Sequence, residues 1–371
     1  MKYYIIAGEA SGDVHAANLI RSIKIEDKHA VFRAWGGDRM ATQGAEIVKH
    51  YRDLAFMGFV EVLLNIRTIS KNISFCKKDI LSFQPDVLVL VDYPGFNLRI
   101  AEFAHKKGIK AVYYISPQVW AWKKSRVHKI KRVVNKMLVI LPFEKAFYEK
   151  YGVDVDFVGH PLLDEIQNQK KISRDAFLEN HKLEDKPIIA LLPGSRKQEI
   201  ATMLKSMLQV VNHFPDHLFV VAGMSSIPAN FYKRILKNSK ARLVIDQTDS
   251  LLQHTDAALV TSGTATLETA LMEVPEVVCY KGNFISVAIA KRIIDVKYIS
   301  LVNLIMEREI VKELIQGQLN TRNLVHELNL IVGNKERLSQ LHSDYQELRE
   351  KLGDEGASRR AARLILEMIS E

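Results

Sequence analysis

Lys2-Tyr3-Tyr4-Ile5-Ile6-Ala7 is followed at once by Gly8-Glu9-Ala10-Ser11-Gly12-Asp13. The first six residues form an apolar run after one lysine, as a parallel strand buried on both faces requires. The glycines then permit a tight turn into a helix predicted over Asp13–Lys24. This strand, glycine turn and helix set the pattern for the rest of the chain. Further strands are expected at Ala30–Trp35, Asp86–Val91, Lys110–Ile115, Lys136–Ile140 and Val155–Val158, with helices between them. After a polar segment, Gln167–Lys186, the pattern restarts with strands at Pro187–Leu192, Leu218–Ala222, Ala241–Ile245, Ala257–Thr261 and Val277–Cys279. From Asn303 onward the chain reads as helices. Alternation of this kind predicts two doubly wound, Rossmann-like α/β domains facing a cleft, with a helical C-terminus. The boundaries are expected at 1–166 for the first domain, 187–340 for the second and 341–371 for the closing helices.

Bulk properties narrow the function. The 371 residues suit two domains, each long enough to bury its own core. Net charge is +9, from 52 Lys and Arg against 43 Asp and Glu, which favours an anionic partner. Two cysteines, Cys76 and Cys279, are too few for a disulfide framework. The apolar opening is too short for a signal peptide, and no run approaches the ~18–20 residues of a membrane-spanning helix. A cytoplasmic protein is expected, with any membrane contact at its surface. No His/Cys/Asp cluster has metal-ligand spacing, and neither G-x-G-x-x-G nor G-x-S-x-G occurs.

In doubly wound folds ligands bind at the carboxyl ends of the strands, so the candidate residues lie there. Glu9, Ser11 and Asp13 follow the first strand. Two carboxylates would repel phosphate, so they suit sugar hydroxyls, although Asp13 equally suits a helix cap. Asp92, before Tyr93-Pro94-Gly95, is either a turn cap or a general base taking a proton from an attacking hydroxyl. Trp120 and Trp122 precede Lys123, Lys124, Arg126, Lys129 and Arg132. That grouping suits a membrane interface or an acylated, phosphorylated ligand, a nucleic acid, or simply a solvated basic helix over buried tryptophans. In the second domain Arg196 can grip a diphosphate. Ser262, Gly263 and Thr264 open a helix as an anion site, and Glu268 can bond a ribose diol.

The stretch Met57–Ile80 carries an apolar stripe through Val62, Ile66, Ile69, Ile73, Cys76 and Ile80. Val60 and Leu63 widen it, and Arg67, Lys71, Lys77 and Lys78 flank it. Such a stripe either packs on the sheet or, at its N-terminal end, rests among lipid headgroups.

The chain resembles the lipid-A-disaccharide synthase family. The resemblance rests on Gly8–Asp13, Met57–Val62, Asp92–Asn97, Ser116–Trp122, Leu141-Pro142-Phe143-Glu144, Gly159-His160, Leu192–Arg196, Ser262–Glu268 and Ser300–Leu304, in order along nearly the whole chain. It implies a GT-B fold, with the last helices returning to the first domain. The implied reaction transfers 2,3-diacylglucosamine from its UDP derivative to 2,3-diacylglucosamine 1-phosphate (lipid X). The products are a β-1′,6-linked disaccharide 1-phosphate and UDP, with inversion and with neither cofactor nor metal. By the same resemblance Asp92 is the general base with Glu9 its competitor, Arg196 the diphosphate clamp and Glu268 the ribose contact. Ser262, Gly263 and Thr264 lie near the phosphates, and Asn303 is near the active site. Val60, Val62, Leu63, Ile66 and Ile69 belong to a patch contacting an anionic membrane, on the inner face of the inner membrane. The loop Gly223–Pro228 departs from the family pattern. A homodimer is allowed by the helical C-terminus.

Two rivals stand beside this reading. One is another GT-B enzyme using a UDP-sugar, an epimerase or a different lipid glycosyltransferase. The other is a basic nucleic-acid-binding protein, against which Glu9, Asp13 and Asp92 argue; no nucleic-acid partner is expected.

Overall fold

Every strand pairing in the computed structural model is parallel. The structure describes residues 1–53, 66–122, 124–282 and 297–370, without the side chains of Ile66 and Trp122. The chain divides into two units, one of Met1–Asp164 with Leu352–Glu371 and the other of Glu165–Lys351.

The first unit holds a seven-stranded sheet in the order β3-β2-β1-β4-β5-β6-β7. Its strands are β1 (Lys2–Ala7), β2 (Val31–Gly36), β3 (Glu46–His50), β4 (Val87–Val91), β5 (Lys110–Tyr114), β6 (Lys136–Val139) and β7 (Asp156–Phe157). Val87-Leu88-Val89-Leu90-Val91 is buried at every position, because helices cover both faces of the central strand. Each such side chain contributes about 1.5–3 kcal/mol relative to exposure. The helix Ala10–Glu26 buries Ala16, Ala17, Leu19, Ile20 and Ile23. In the helix Ile66–Phe83, Ile73, Cys76 and Ile80 are buried and Ile69 packs against the same core. From Ile69 onward, then, the apolar stripe faces the sheet. Val60, Val62 and Leu63 lie outside the described residues.

The second unit holds a six-stranded sheet in the order β10-β9-β8-β11-β12-β13. Its strands are β8 (Ile188–Leu192), β9 (Leu218–Gly223), β10 (Arg242–Ile245), β11 (Ala257–Thr261), β12 (Glu276–Tyr280) and β13 (Lys312–Ile315). Both sheets reverse their winding once, between β1 and β4 in the first unit and between β8 and β11 in the second. These two switch points are where a doubly wound sheet leaves room for a ligand.

Two strands depart from the sequence expectation. β13 interrupts the region read as helical after Asn303, and β3 was not anticipated. Both are edge strands, and Lys312-Glu313 and Glu46, Lys49 and His50 break the apolar continuity that marks a central strand.

The last helix, Ala357–Ser370, packs against the helix Ala10–Glu26 and against β5 and β6. Asp164 caps its start, accepting from Gly356 N at 2.5 Å and Ser358 N at 3.1 Å. Arg360 Nε donates to Val158 O at 2.8 Å, and Lys110 Nζ to Met368 O at 2.7 Å.

Candidate active site

At the first switch point the register sets Ala7 beside Val91, so Gly8-Glu9 and Asp92 leave the sheet side by side. Asp92 and Tyr93 both have positive φ, +43° and +49°. Left-handed conformations cost non-glycine residues roughly 1–3 kcal/mol each and persist only where the surroundings enforce them. Here the enforcement is visible. Asn97, fully buried, donates through Nδ2 to Asp92 O at 2.7 Å and to Val91 O at 3.2 Å. Tyr113 Oη donates to the same Asp92 carbonyl at 2.6 Å, and Asp92 N donates to Tyr114 O at 3.3 Å. The Tyr93 ring lies over Gly8, where a Cβ would come within 2.5 Å of Tyr93 Cδ1. Gly8 is therefore a place where the backbone must be bare.

The Asp92 side chain keeps an exposed face. Crowding by protein on its other side pushes the carboxyl up to about 7, and the charge of Glu9 pushes the same way, while His15 opposes it. Tyr93 is also raised, by burial and then by Glu9. Glu9, Asp92, His15 and Tyr93 thus share one electrostatic environment. His160 is buried with Nδ1 accepting from Leu162 N at 3.2 Å, and burial brings it down to about 3, so it stays neutral. Ser11 is exposed at the start of the following helix. Asp13 turns inward with 2% exposure. Its carboxylate accepts from Gly37 N at 2.7 Å, Arg39 N at 3.1 Å and Met40 N at 3.2 Å, holding the turn after β2.

β5 ends in a second strained position, Ile115 at φ +65°, a β-branched residue for which this is a genuine outlier. The loop beyond it rests on Glu144. That buried carboxyl accepts from Ile140 N at 3.2 Å, Leu141 N at 3.0 Å and Trp120 Nε1 at 3.3 Å. Burial pushes it up to about 7. The Trp120 ring is buried and meets Phe143 edge to face at 4.9 Å, so it serves packing rather than a membrane interface. In the helix Arg126–Val133, Val127, Ile130 and Val133 face the core, and Lys129 pairs with Glu102 at 2.7 Å.

The second switch point has different chemistry. β8 ends at Leu192 beside Val260 of β11. Gly194 supplies the turn with φ +98°, and Ser195 N donates to Glu199 Oε2 at 3.0 Å. Arg196 is exposed and opens the helix Lys197–Met207. Across the switch, Gly263 and Thr264 are exposed at the start of the helix Thr264–Leu271, with nothing within 4 Å of where a Gly263 Cβ would sit. Ser262 Oγ donates to Ile299 O at 2.8 Å. Glu268 is half-buried. Burial, then the Asp249 charge and a hydrogen bond with Asp249, push it up to about 8. Asn303 has no exposure, and its amide is saturated. Nδ2 donates to Val311 O at 2.8 Å and Glu313 Oε1 at 3.0 Å, while Oδ1 accepts from Ile310 N at 2.8 Å and Val311 N at 3.0 Å.

Sequence reasoning thus found both switch points but missed the residues that pin them: Asn97, Tyr113, Glu144, Asp249 and Glu313. Tyr113 and Glu313 bond to backbone groups 13 or more residues away, which leaves no local pattern, whereas Glu144 and Asn97 bond to backbone three to six residues off. Among the described residues no group of His, Cys, Asp and Glu is placed to hold a metal, and no helix is long and apolar enough to cross a membrane.

Comparison with known proteins agrees with this geometry. Solved structures of similar fold include a UDP-GlcNAc 2-epimerase from Neisseria meningitidis bound to UDP-GlcNAc, with TM-score 0.68, 13% identity and coverage of 99% of this chain and 100% of that one. Another is the glycotransferase of kitacinnamycin, with TM-score 0.67, 14% identity and 99% coverage of each chain. At such identities they establish the fold alone, two Rossmann-like domains of GT-B type. Sequence relatives decide between the epimerase and transferase readings. Lipid-A-disaccharide synthase of Syntrophus aciditrophicus is 39% identical over 99% of this chain and 97% of its own length. Those of Trichlorobacter lovleyi and Nitrosococcus oceani are 37% and 38% identical, over 99% and 98% of this chain and 97% and 95% of their own. The family model described as lipid-A-disaccharide synthetase matches residues 3–368, and the chain belongs to that family of hexosyltransferases, which form the lipid A disaccharide.

Proposed function

We propose that the first unit binds the acceptor, lipid X, and the second the donor, UDP-2,3-diacylglucosamine, with Asp92 as the general base. The acceptor 6-hydroxyl oxygen attacks the donor's anomeric carbon, its proton passes to Asp92, and the bond from that carbon to the UDP oxygen breaks. One displacement of this kind inverts the configuration. The observation that carries the assignment is the pinned, left-handed Asp92 beside Glu9 at the β1/β4 switch. A carboxyl raised to about 7 is poised to accept a proton near neutral pH, an effect typically worth ~10²–10⁴-fold. Glu9 supports that poise and is the competing base; Ser11 lies within reach of the acceptor sugar.

On the leaving side, Arg196 and the helix start at Ser262-Gly263-Thr264 stabilise the diphosphate, through guanidinium charge and the N–H groups of Gly263 and Thr264. Glu268, with Asp249, contacts the ribose diol. Asp13 and Asn303 act on the reaction by holding the turns around them. In this reading neither a metal nor a cofactor takes part. Both substrates carry acyl chains, so the protein meets a bilayer from the cytoplasmic side of the inner membrane, through Val60, Val62, Leu63 and Ile66; Ile69, packed on the core, is not part of that contact. Its excess positive charge favours anionic lipid at ~1 kcal/mol per basic residue near the surface. Two copies can assemble as a homodimer.

The test is a mass-spectrometric assay with both substrates, detergent and EDTA. The expected result is the disaccharide 1-phosphate together with UDP. Product only after Mg²⁺ is added would overturn the metal-free mechanism. No product under either condition from folded protein would overturn the substrate assignment.

A further inference from the structure

Glu313 lies on the edge strand β13 and is only 8% exposed. Its carboxylate gathers four donors. Ile299 N reaches Oε1 at 3.2 Å and Oε2 at 3.0 Å, Ser300 N and Ser300 Oγ reach Oε1 at 2.9 and 2.8 Å, and Asn303 Nδ2 reaches Oε1 at 3.0 Å. A buried carboxylate surrounded by donors in this way is fixed in a single orientation. Beside it, on β12, Glu276 is buried with neither carboxyl oxygen partnered among the described residues. Burial and then the charge of Glu313 push the Glu276 carboxyl well up. Of the two neighbouring carboxyls, only Glu313 is partnered by donors among the described residues.

The consequence reaches the second switch point. Ile299, whose N–H is fixed by Glu313, presents its carbonyl to Ser262 Oγ at 2.8 Å. Ser300 Oγ caps the short helix Leu301–Met306 through Asn303 N at 3.2 Å. The Asn303 amide then ties that helix to the backbone entering β13 through Ile310 and Val311. An unbroken run of hydrogen bonds thus leads from a buried carboxylate on the sheet edge to the first residue of the exposed Ser262-Gly263-Thr264 turn.

We propose that Glu313 is a positioning residue for the donor diphosphate: it fixes Ile299, and through Ile299 the Ser262 turn, whose Gly263 and Thr264 N–H groups face the leaving UDP while Ser262 N is held by Cys279 O. The proposal rests on the reading of Ser262–Thr264 as the diphosphate contact. Glu313 touches no substrate, so removing it weakens donor binding while leaving acceptor binding alone.

Titration of the full-length protein with UDP tests this. Glu313→Gln, which forfeits the charge, is expected to raise the UDP Kd roughly tenfold, as loss of bonds to a charged group implies. The acceptor KM should stay within about twofold of wild type. Ser262→Ala should also raise the Kd, and the double variant should bind UDP no more weakly than Glu313→Gln alone, because the two act through one linkage. Wild-type UDP affinity in Glu313→Gln that melts cooperatively overturns the proposal, as do additive effects of the two substitutions. Should Glu313→Gln fail to fold, Ser300→Ala removes one donor from the same cluster, and unchanged UDP affinity there overturns it equally. Arg196→Ala separates the two failures. If it weakens UDP binding while Glu313→Gln does not, only the positioning role falls; if neither does, the donor reading falls and the proposal with it.

Discussion

The two switch points occupy equivalent places in their sheets yet are built from opposite materials. At β1/β4 the turn residues in left-handed conformation are Asp92 and Tyr93, neither a glycine, held by Asn97 and Tyr113. At β8/β11 the left-handed position is Gly194, and the opposite turn offers Gly263 with open space around it. Strain therefore sits on the side that carries a carboxylate, and an unstrained, hydroxyl- and N–H-rich surface on the other. A base needs one orientation and a shifted proton affinity, both of which a rigid, crowded position supplies. A diphosphate needs several donors at moderate precision, which a helix start and an arginine supply without strain.

The largest effect expected to test this contrast comes from Asp92→Asn. It should lower turnover by ~10²–10⁴-fold while leaving UDP binding near wild type. Near-normal turnover would end the case for Asp92 and pass the role to Glu9. Next comes Arg196→Ala, which should weaken UDP binding by roughly ten- to a hundredfold, the worth of hydrogen bonds to a charged group, with little change in acceptor KM. Calorimetry showing unchanged affinity would leave the second switch point without its cation.

A smaller pair of effects compares the glycines directly. Gly8→Ala meets the Tyr93 ring and should cost about 1–3 kcal/mol of stability, as overpacking does. Gly263→Ala meets nothing within 4 Å, and its φ of 162° is ordinary extended backbone, so its melting temperature should stay close to wild type. Equal destabilisation by both would dissolve the contrast between a crowded and an open turn.

The mildest test is pH. A base raised to about 7 must ionise to act, so kcat/KM should rise with pH through about 7 and level off above. Glu9→Gln removes a charge that raises Asp92, so the rising limb should move to lower pH. The same shift has a consequence for stability. A carboxyl whose folded value lies above its ordinary 3.8 favours folding below that value, and this contribution is lost as pH climbs through about 7. Asp92→Asn should therefore melt higher than wild type at pH 8, with no such advantage at pH 4. Identical melting differences at both pH values would argue against a raised Asp92.

Much of this was legible from residues alone. The strands β1, β4, β8 and β11 are short apolar runs followed by Gly8, Asp92, Pro193-Gly194 and Ser262-Gly263, the length and punctuation of buried strands. What escaped notice was polar and peripheral. β3 carries charges because an edge strand presents one side to water, whereas Glu313 on β13 is buried among donors of the neighbouring loop. Glu313 stands in ordinary-looking surroundings, and its hydrogen bonds go to backbone groups that sequence does not place nearby; Asn97 lies close to Val91 and Asp92 in sequence, but only the left-handed turn brings their carbonyls onto its amide. Asp13 and Asn303 read as site residues, yet both are buried and bound to backbone donors.

Local sequence determined which segments become strands and helices, where the chain turns, and that carboxylates, an arginine and hydroxyls stand at strand ends, because periodicity and turn chemistry act over a few neighbouring residues. Tertiary structure alone decided that Glu9 lies beside Asp92, that the left-handed Asp92 is held in place by Asn97 and Tyr113, and that Glu313 reaches the Ser262 turn through Ile299. The physical reason is range. Proton affinity, enforced strain and a chain of buried hydrogen bonds depend on groups brought together across tens of residues, and only the packed sheet sets those distances.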